Sequence, residues 1–156
     1  MTPNTISIVN YTSQTKEAIK DLNYEWLLKY FTLEPSDIQS LNNPYEEIIA
    51  KGGYIYYATL NGTIVGTASL LKITPTQYEL GKMAVTEAAK GSGIGALLLQ
   101  HCIEQAALLG VQSLILYSNT KLASAIHLYK KYGFVEVALQ QGLYQRANIK
   151  MEKKLP

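Results

Sequence analysis

A chain of 156 residues, 47% hydrophobic and 17% charged, has room for one core of ordinary size and too little for two, with no compositional sign of disorder. The formal charge of +2, with like-charge runs no longer than Lys130-Lys131 and Lys153-Lys154, argues against a nucleic-acid surface. No uninterrupted apolar segment reaches membrane-spanning length, and the polar start does not read as a signal peptide; the one cysteine excludes an internal disulfide framework and suits a reducing, cytoplasmic compartment.

In chain order, residues 6–9 read as a short first strand. Residues 13–31 are helical by pattern. Ala18, Leu22, Trp26 and Tyr30 recur every fourth residue, and Ile19, Leu27 and Leu28 broaden the stripe. Pro35 and Pro44 each suit the first turn of a short helix, with residues 44–49 the better candidate and Gly52-Gly53 ending it. "YIYYATL" and "IVGTASLLKI" flank Asn61-Gly62, a strong hairpin signal, and Pro75 turns the chain into "QYELGKMAV". These three strands predict an antiparallel meander. A helix follows over residues 93–109, closed by Gly110. "SLILYSN" is a short apolar strand, and "KLASAIHLYKKYG" a helix ending at Gly133. "FVEVAL" and "YQRANIKMEKKL" pair as final strands across a polar loop at Gln140-Gln141-Gly142. The predicted fold is a mixed α/β domain over residues 1–156, with helices packed on a sheet that is antiparallel in its first half.

The chemistry starts at "ELGKMAVTEAAKGSGIGALLL". Gly91-Ser92-Gly93-Ile94-Gly95-Ala96 formally satisfies the dinucleotide fingerprint G-x-G-x-x-G/A. A dinucleotide fold also needs its first glycine straight off the strand, yet residues 86–90 intervene after Val85. It needs an acidic residue about twenty positions on, and no Asp or Glu occurs between Glu104 and Glu136. The dinucleotide reading fails. What remains is a glycine-rich turn entering a helix, where unpaired amides and the helix dipole favour an anion, with Lys90 adding charge at the mouth. A flexible loop with a glycine-assisted helix start explains the same residues.

The wider context resembles the GNAT superfamily of acyl-CoA-dependent N-acetyltransferases. That family's pyrophosphate motif, Gln/Arg-x-x-Gly-x-Gly/Ala after a strand ending in Val, is matched by Lys90-Gly91-Ser92-Gly93-Ile94-Gly95 after Met83-Ala84-Val85, with Lys90 a departure from Arg or Gln. A second motif, an Asn after the next strand and then Ala-x-x-Leu-Tyr-x-x-x-Gly-Phe, is matched by Asn119 and by residues 125–134. The resemblance implies a sheet splayed at its central strands with helices on both faces. It implies acetyl transfer from acetyl-CoA to a primary amine: a small amine such as a polyamine, an amino-sugar antibiotic, or a protein amino group. No metal is expected, because His101 and His127 lack ligand spacing.

The resemblance also assigns roles, each with a plainer reading beside it. Tyr129 would protonate the departing thiolate, although Ala125, Leu128, Tyr129 and Tyr132 also form the core stripe of a helix. Glu79 would be the general base that an alkyl ammonium of pKa about 10 requires, or an ordinary strand residue. Gly81, unusual inside a strand, suggests a bulge or a close backbone approach, and the resemblance implies such a bulge, opening the sheet for the pantetheine arm. Backbone groups at Met83, Ala84 and Val85 would bond that arm and polarise the carbonyl. Lys90, Gly91, Ser92, Gly93, Ile94, Gly95 and Ala96 would hold the pyrophosphate. Asn119 would hold the arm, or simply close a turn. Phe31, Glu34 and Tyr45, with Asp37 and Glu46 near them in sequence, would shape the acceptor pocket; polar helix surface explains those carboxylates equally well. Cys102, on a helix face with Ile94 and Leu98, reads as a packed thiol and not a nucleophile. The partners expected are acetyl-CoA and an amine acceptor, with no nucleic acid and no membrane; a homodimer is left open. The alternative from another class is a non-catalytic acyl-CoA-binding sensor or interaction module.

Overall fold

The computed structural model describes residues 5–140 and 145–156, so Gln141 and Gly142 of the expected polar loop lie outside the described residues. The strands are β1 (Ile6–Asn10), β2 (Tyr54–Leu60), β3 (Thr63–Thr74), β4 (Gln77–Val85), β5 (Ser113–Ser118), β6 (Val135–Val137) and β7 (Ile149–Lys154). They form one sheet in the order β1-β2-β3-β4-β5-β7-β6. The meander is antiparallel as expected, and Asn61 (φ 52°) with Gly62 (φ 84°) makes its first turn in the left-handed conformation that a two-residue hairpin demands. β4 and β5 run parallel, and they pair only at Gln77↔Ser113, Tyr78↔Leu114 and Glu79↔Ile115. Beyond Glu79 they part. The sheet is therefore split along half the length of its central strands.

Four helices cover it: α1 (Lys16–Tyr30), α2 (Pro35–Asn42), α3 (Ile94–Leu108) and α4 (Ala123–Lys131). Strand alternation sorts the core into two clusters. Ile55 and Tyr57 of β2 pack with Ile19 and Leu27 of α1 and Leu41 of α2 on one face. Tyr56 and Ala58 pack with Ile94, Leu98 and Cys102 of α3 on the other, where Ile126, Leu128 and Tyr129 of α4 and Tyr132 just after it also lean.

Several boundaries differ from expectation. The buried stripe of α1 is Ile19, Leu22, Asn23 and Leu27, whereas Leu28 and Tyr30 face solvent. The stronger helix starts at Pro35, not Pro44; the Asp37 carboxylate accepts the Glu34 N–H at 2.9 Å and steadies its first turn. Tyr45–Ile49 makes only a single wide π-type turn. No residue of α4 is fully buried, so its expected core stripe is a half-buried one. The last two strands are shorter than the apolar runs suggested. Among the described residues, no helix is long and apolar enough to cross a membrane.

Candidate active site

The split between β4 and β5 opens a cavity of about 730 Å³, within the range of small-molecule sites. Its lining comes from α1 and α2 on one face of the sheet and from the starts of α3 and α4 on the other, so the cavity passes through the sheet. Glu79, at the last β4–β5 pair, stands at the apex of the split. It is 4% exposed, lines the cavity and shares the α1 face with its cross-strand partner Leu71.

A bulge follows immediately. Thr67 pairs with Ala84 and Ser69 with Gly81, so two residues of β4, Lys82 and Met83, oppose the single Ala68. The left-handed residue is Lys82 (φ 53°), one position after the glycine expected to make the bulge. Gly81 has another use. A Cβ there would stand 3.1 Å from Leu71 Cδ1 and 3.2 Å from Glu79 Oε2, so the bare backbone leaves room for the Glu79 carboxylate. Asn23 holds the bulge from the opposite element: its side-chain amide donates to the Lys82 carbonyl at 3.1 Å and its oxygen accepts the Trp26 indole N–H at 3.1 Å.

At the other end lies the glycine loop. Gly91 (φ 82°) and Gly93 (φ 81°) are both left-handed, and nothing stands within 4 Å of where their Cβ atoms would be. The first helical bond of α3 runs from Leu97 N–H to Gly93 O at 3.1 Å, so the amides of Ile94, Gly95 and Ala96 precede the ladder. Glu25 of α1 anchors the approach by accepting Glu87 N–H at 2.7 Å and the Thr86 hydroxyl at 2.9 Å. Lys90 sits at the mouth, paired with Glu87 at 3.1 Å.

Of the residues expected at a cofactor site, Met83, Ala84, Val85, Lys90, Gly91, Gly93, Ile94, Gly95 and Asn119 all line this one cavity. Ser92 and Ala96 do not; the Ser92 hydroxyl turns back to donate to the Ala89 carbonyl. Asn119 is engaged within the protein. Its amide donates to the Arg146 carbonyl at 2.6 Å, and its oxygen accepts Lys121 N–H at 2.9 Å. Tyr129 lines the cavity from α4, edge-on to Phe134 at 6.0 Å, and burial pushes its hydroxyl up to about 12. No described residue hydrogen-bonds that hydroxyl.

The acceptor side differs more. Phe31 lines the cavity, but Tyr45 is 54% exposed away from it and Glu34 is turned elsewhere. Glu34 and Asp37 are matched by cations that the sequence reading passed over. Arg146 grips Asp37 through two bonds of 2.6 Å each and reaches Glu34 at 3.0 Å, while Lys82 lies 3.9 Å from Asp37. Burial pushes the Asp37 carboxyl up, but the bonds from Arg146 and the Glu34 amide and the charges of Arg146 and Lys82 outweigh it, leaving it below the ordinary carboxylate range. Burial pushes the Lys82 ammonium below its ordinary value, against the pull of Asp37 and Glu79. Glu34 and Asp37, two of the carboxylates expected near a cationic acceptor, are therefore paired within the protein.

Two signals in the sequence mark what was missed. Asn23 interrupts an apolar helical stripe one turn before the only tryptophan, and Arg146 is the only arginine among fourteen basic residues. Cys102 is fully buried, with burial pushing its thiol well above the ordinary value, and so is no nucleophile. Among the described residues, no group of three His, Cys, Asp or Glu stands together to hold a metal.

Comparison with known proteins converges on one family. The profile described as the Acetyltransferase (GNAT) family matches residues 19–134. A protein of Azospirillum brasilense named IAA acetyltransferase is 31% identical over 101 residues, 64% of this chain and 61% of its own length. The chain thus spans less than two thirds of that relative. Among solved structures, a GNAT-family acetyltransferase of Staphylococcus aureus Mu50 superposes with a TM-score of 0.87 at 22% identity, covering 97% of this chain and 100% of its own. The Salmonella typhimurium protein yncA, solved with its cofactor acetyl-CoA, superposes at 0.76 and 19% identity, covering 97% and 94%. At these identities the structures share the fold.

Proposed function

The chain belongs to the Acetyltransferase (GNAT) family, and from that premise we propose that it transfers the acetyl group of acetyl-CoA to a primary amine by direct attack in a ternary complex. The observation that carries this reading is the single cavity through the split sheet, which joins the left-handed glycine turn, Glu79 and Tyr129. When bound, acetyl-CoA supplies an activated acyl carbonyl and a thiol leaving group. The residues present suit it: the glycine turn offers open space and a helix N-terminus to phosphates, and the parted strand offers backbone groups to an amide-bearing arm.

Within that reading Gly91, Gly93 and the amides of Ile94, Gly95 and Ala96 receive the pyrophosphate, with Lys90 beside them. Backbone groups of Met83, Ala84 and Val85 hold the arm and polarise the carbonyl. An alkyl amine of pKa about 10 arrives as ammonium, and Glu79 removes its proton before attack. Tyr129 faces the departing sulfur. Burial of Cys102 removes the one thiol that could carry an acyl-enzyme, which favours direct attack. The acceptor is a small-molecule or protein amine entering from the α1–α2 face, where Trp26 and Phe31 line the cavity.

The test is release of free thiol from acetyl-CoA across a panel of primary amines. Release that depends on added amine supports transfer. Calorimetric binding of acetyl-CoA with no release for any amine would replace transfer with the non-catalytic binding module.

A further inference from the structure

Arg146 is the only arginine in a chain that uses lysine at every other basic position. It stands where lysine cannot substitute. A planar guanidinium offers parallel donors to a carboxylate, and an ammonium is a point charge. Here Nη1 and Nη2 donate to the two oxygens of Asp37 at 2.6 Å each, and Nη1 also donates to Glu34 at 3.0 Å. The Glu34 carboxylate in turn accepts the backbone N–H of Gln145 at 2.9 Å and of Arg146 at 3.2 Å. The Arg146 carbonyl accepts the Asn119 amide at 2.6 Å, and its guanidinium lies 5.9 Å from the Trp26 ring centre.

These contacts join parts of the molecule that the sheet itself does not join. Glu34 and Asp37 belong to the α1–α2 corner, which covers the β4 side of the split. Arg146 leads into β7, which pairs with β5 on the other side. Past Glu79 the two sides share no backbone ladder. Asp37 extends the connection inward, because Lys82 of the bulge lies 3.9 Å from it, three residues after Glu79.

We propose that Arg146 and Asp37 form a latch across the split sheet that shapes the acceptor end of the cavity, with Arg146 a positioning residue for acceptor binding. This rests on the acetyl-transfer reading of the same cavity. The latch holds Trp26 and Phe31 at a set distance from the β5 wall, so its loss widens the acceptor end. The glycine turn lies at the other end of the cavity and is held by its own approach, Thr86 and Glu87 bonded to Glu25 of α1.

The variants are Arg146→Lys, which keeps the charge and loses the fork, and Arg146→Gln, which loses both; a far-ultraviolet spectrum and thermal melt establish that each folds. With the best amine of the panel, Arg146→Lys raises acceptor KM about tenfold, the cost of losing a charge-assisted bond of the fork, and lowers kcat less. The calorimetric Kd for acetyl-CoA stays within about twofold, because the phosphate turn has its own supports. Emission of Trp26, the only tryptophan, moves to the red as its surroundings become wetter. Acceptor KM unchanged in Arg146→Lys overturns the latch, and so does an equal loss of acetyl-CoA affinity, which would make the cluster a general support of the fold. If the unmodified protein binds acetyl-CoA but turns over no amine, the transfer reading fails instead. The latch is then decided by amide hydrogen exchange over residues 31–37: faster exchange in Arg146→Lys sustains it, and unchanged exchange removes it.

Discussion

Replacing Tyr129 by Phe separates a chemical role from a packing role, because the two readings predict opposite patterns. Tyr129 is half-buried, its surroundings push its hydroxyl up to about 12, and among the described residues nothing hydrogen-bonds it. On the proposed reading Tyr129 donates a hydrogen bond to charge developing on sulfur. A bond to a charged acceptor is worth roughly 1.5–3 kcal/mol, which is about a 10- to 150-fold fall in kcat for the Phe variant. Stability should fall little with it, since among the described residues nothing hydrogen-bonds the hydroxyl and the ring still meets Phe134. The assays are thiol release at saturating acetyl-CoA and amine, a thermal melt, and calorimetry for acetyl-CoA. Turnover within twofold of the unmodified protein, or a lowered melting temperature with turnover falling in proportion, would return Tyr129 to the packing of α4.

Three further outcomes are expected. Gly93→Asn and Gly93→Asp place side chains of the same shape and similar left-handed tolerance at φ 81°, so their difference isolates charge; calorimetry should show acetyl-CoA bound roughly tenfold more weakly by the Asp variant than by the Asn variant, and equal affinities would refute the phosphate cradle. Gly81→Ala puts a methyl 3.2 Å from Glu79 Oε2, and shifting that carboxylate by a few tenths of an ångström should lower kcat about tenfold with acetyl-CoA affinity kept; undiminished turnover would argue against Glu79 as the base. The folded Asp37 carboxyl lies below its ordinary value of 3.8, so its contribution to stability is present in full above pH 3.8 and is lost as pH falls through the lower folded value. Denaturant midpoints below pH 4 should therefore fall more steeply for the unmodified protein than for Asp37→Asn, whose stability at pH 7 should be lower by about 3–5 kcal/mol because Lys82 and Arg146 stay buried without it; parallel acid limbs would refute this assignment.

Periodicity made most of the fold legible. The Asn61-Gly62 turn placed the meander, and the glycine after each of the last two helices marked its end. Periodicity failed where a polar residue does structural work inside an apolar pattern. Asn23 breaks the α1 stripe because it ties the bulge carbonyl to Trp26, and the stripe, read from apolar residues alone, drifted toward Leu28 and Tyr30. The bulge itself was placed at Gly81 because glycine is the usual left-handed residue, whereas Lys82 takes that conformation with its carbonyl held by Asn23 and its side chain near Asp37. The glycine motif and Tyr129 were visible as short-range patterns. The pairing of Arg146 with Glu34 and Asp37 spans more than a hundred residues, and no local spacing announces it.

The split in the sheet also explains why this cavity suits an amide-bearing ligand. A buried backbone N–H or carbonyl left without a partner costs as much as a lost hydrogen bond. β4 is paired with β3 on its outer side and β5 with β7 on its own, but past Glu79 and Ile115 their inner edges face each other across a gap too wide to bridge. A free strand edge invites another strand. Here α1 and α2 close the gap from one face, and the starts of α3 and α4 flank it on the other, so what enters must be narrow and must bring its own donors and acceptors. An extended arm with amides along its length meets both demands, and the glycine turn at one end holds the charge that such an arm carries. On the proposed reading the amine meets the acyl carbonyl at the apex, beside Glu79, where the two strands still pair.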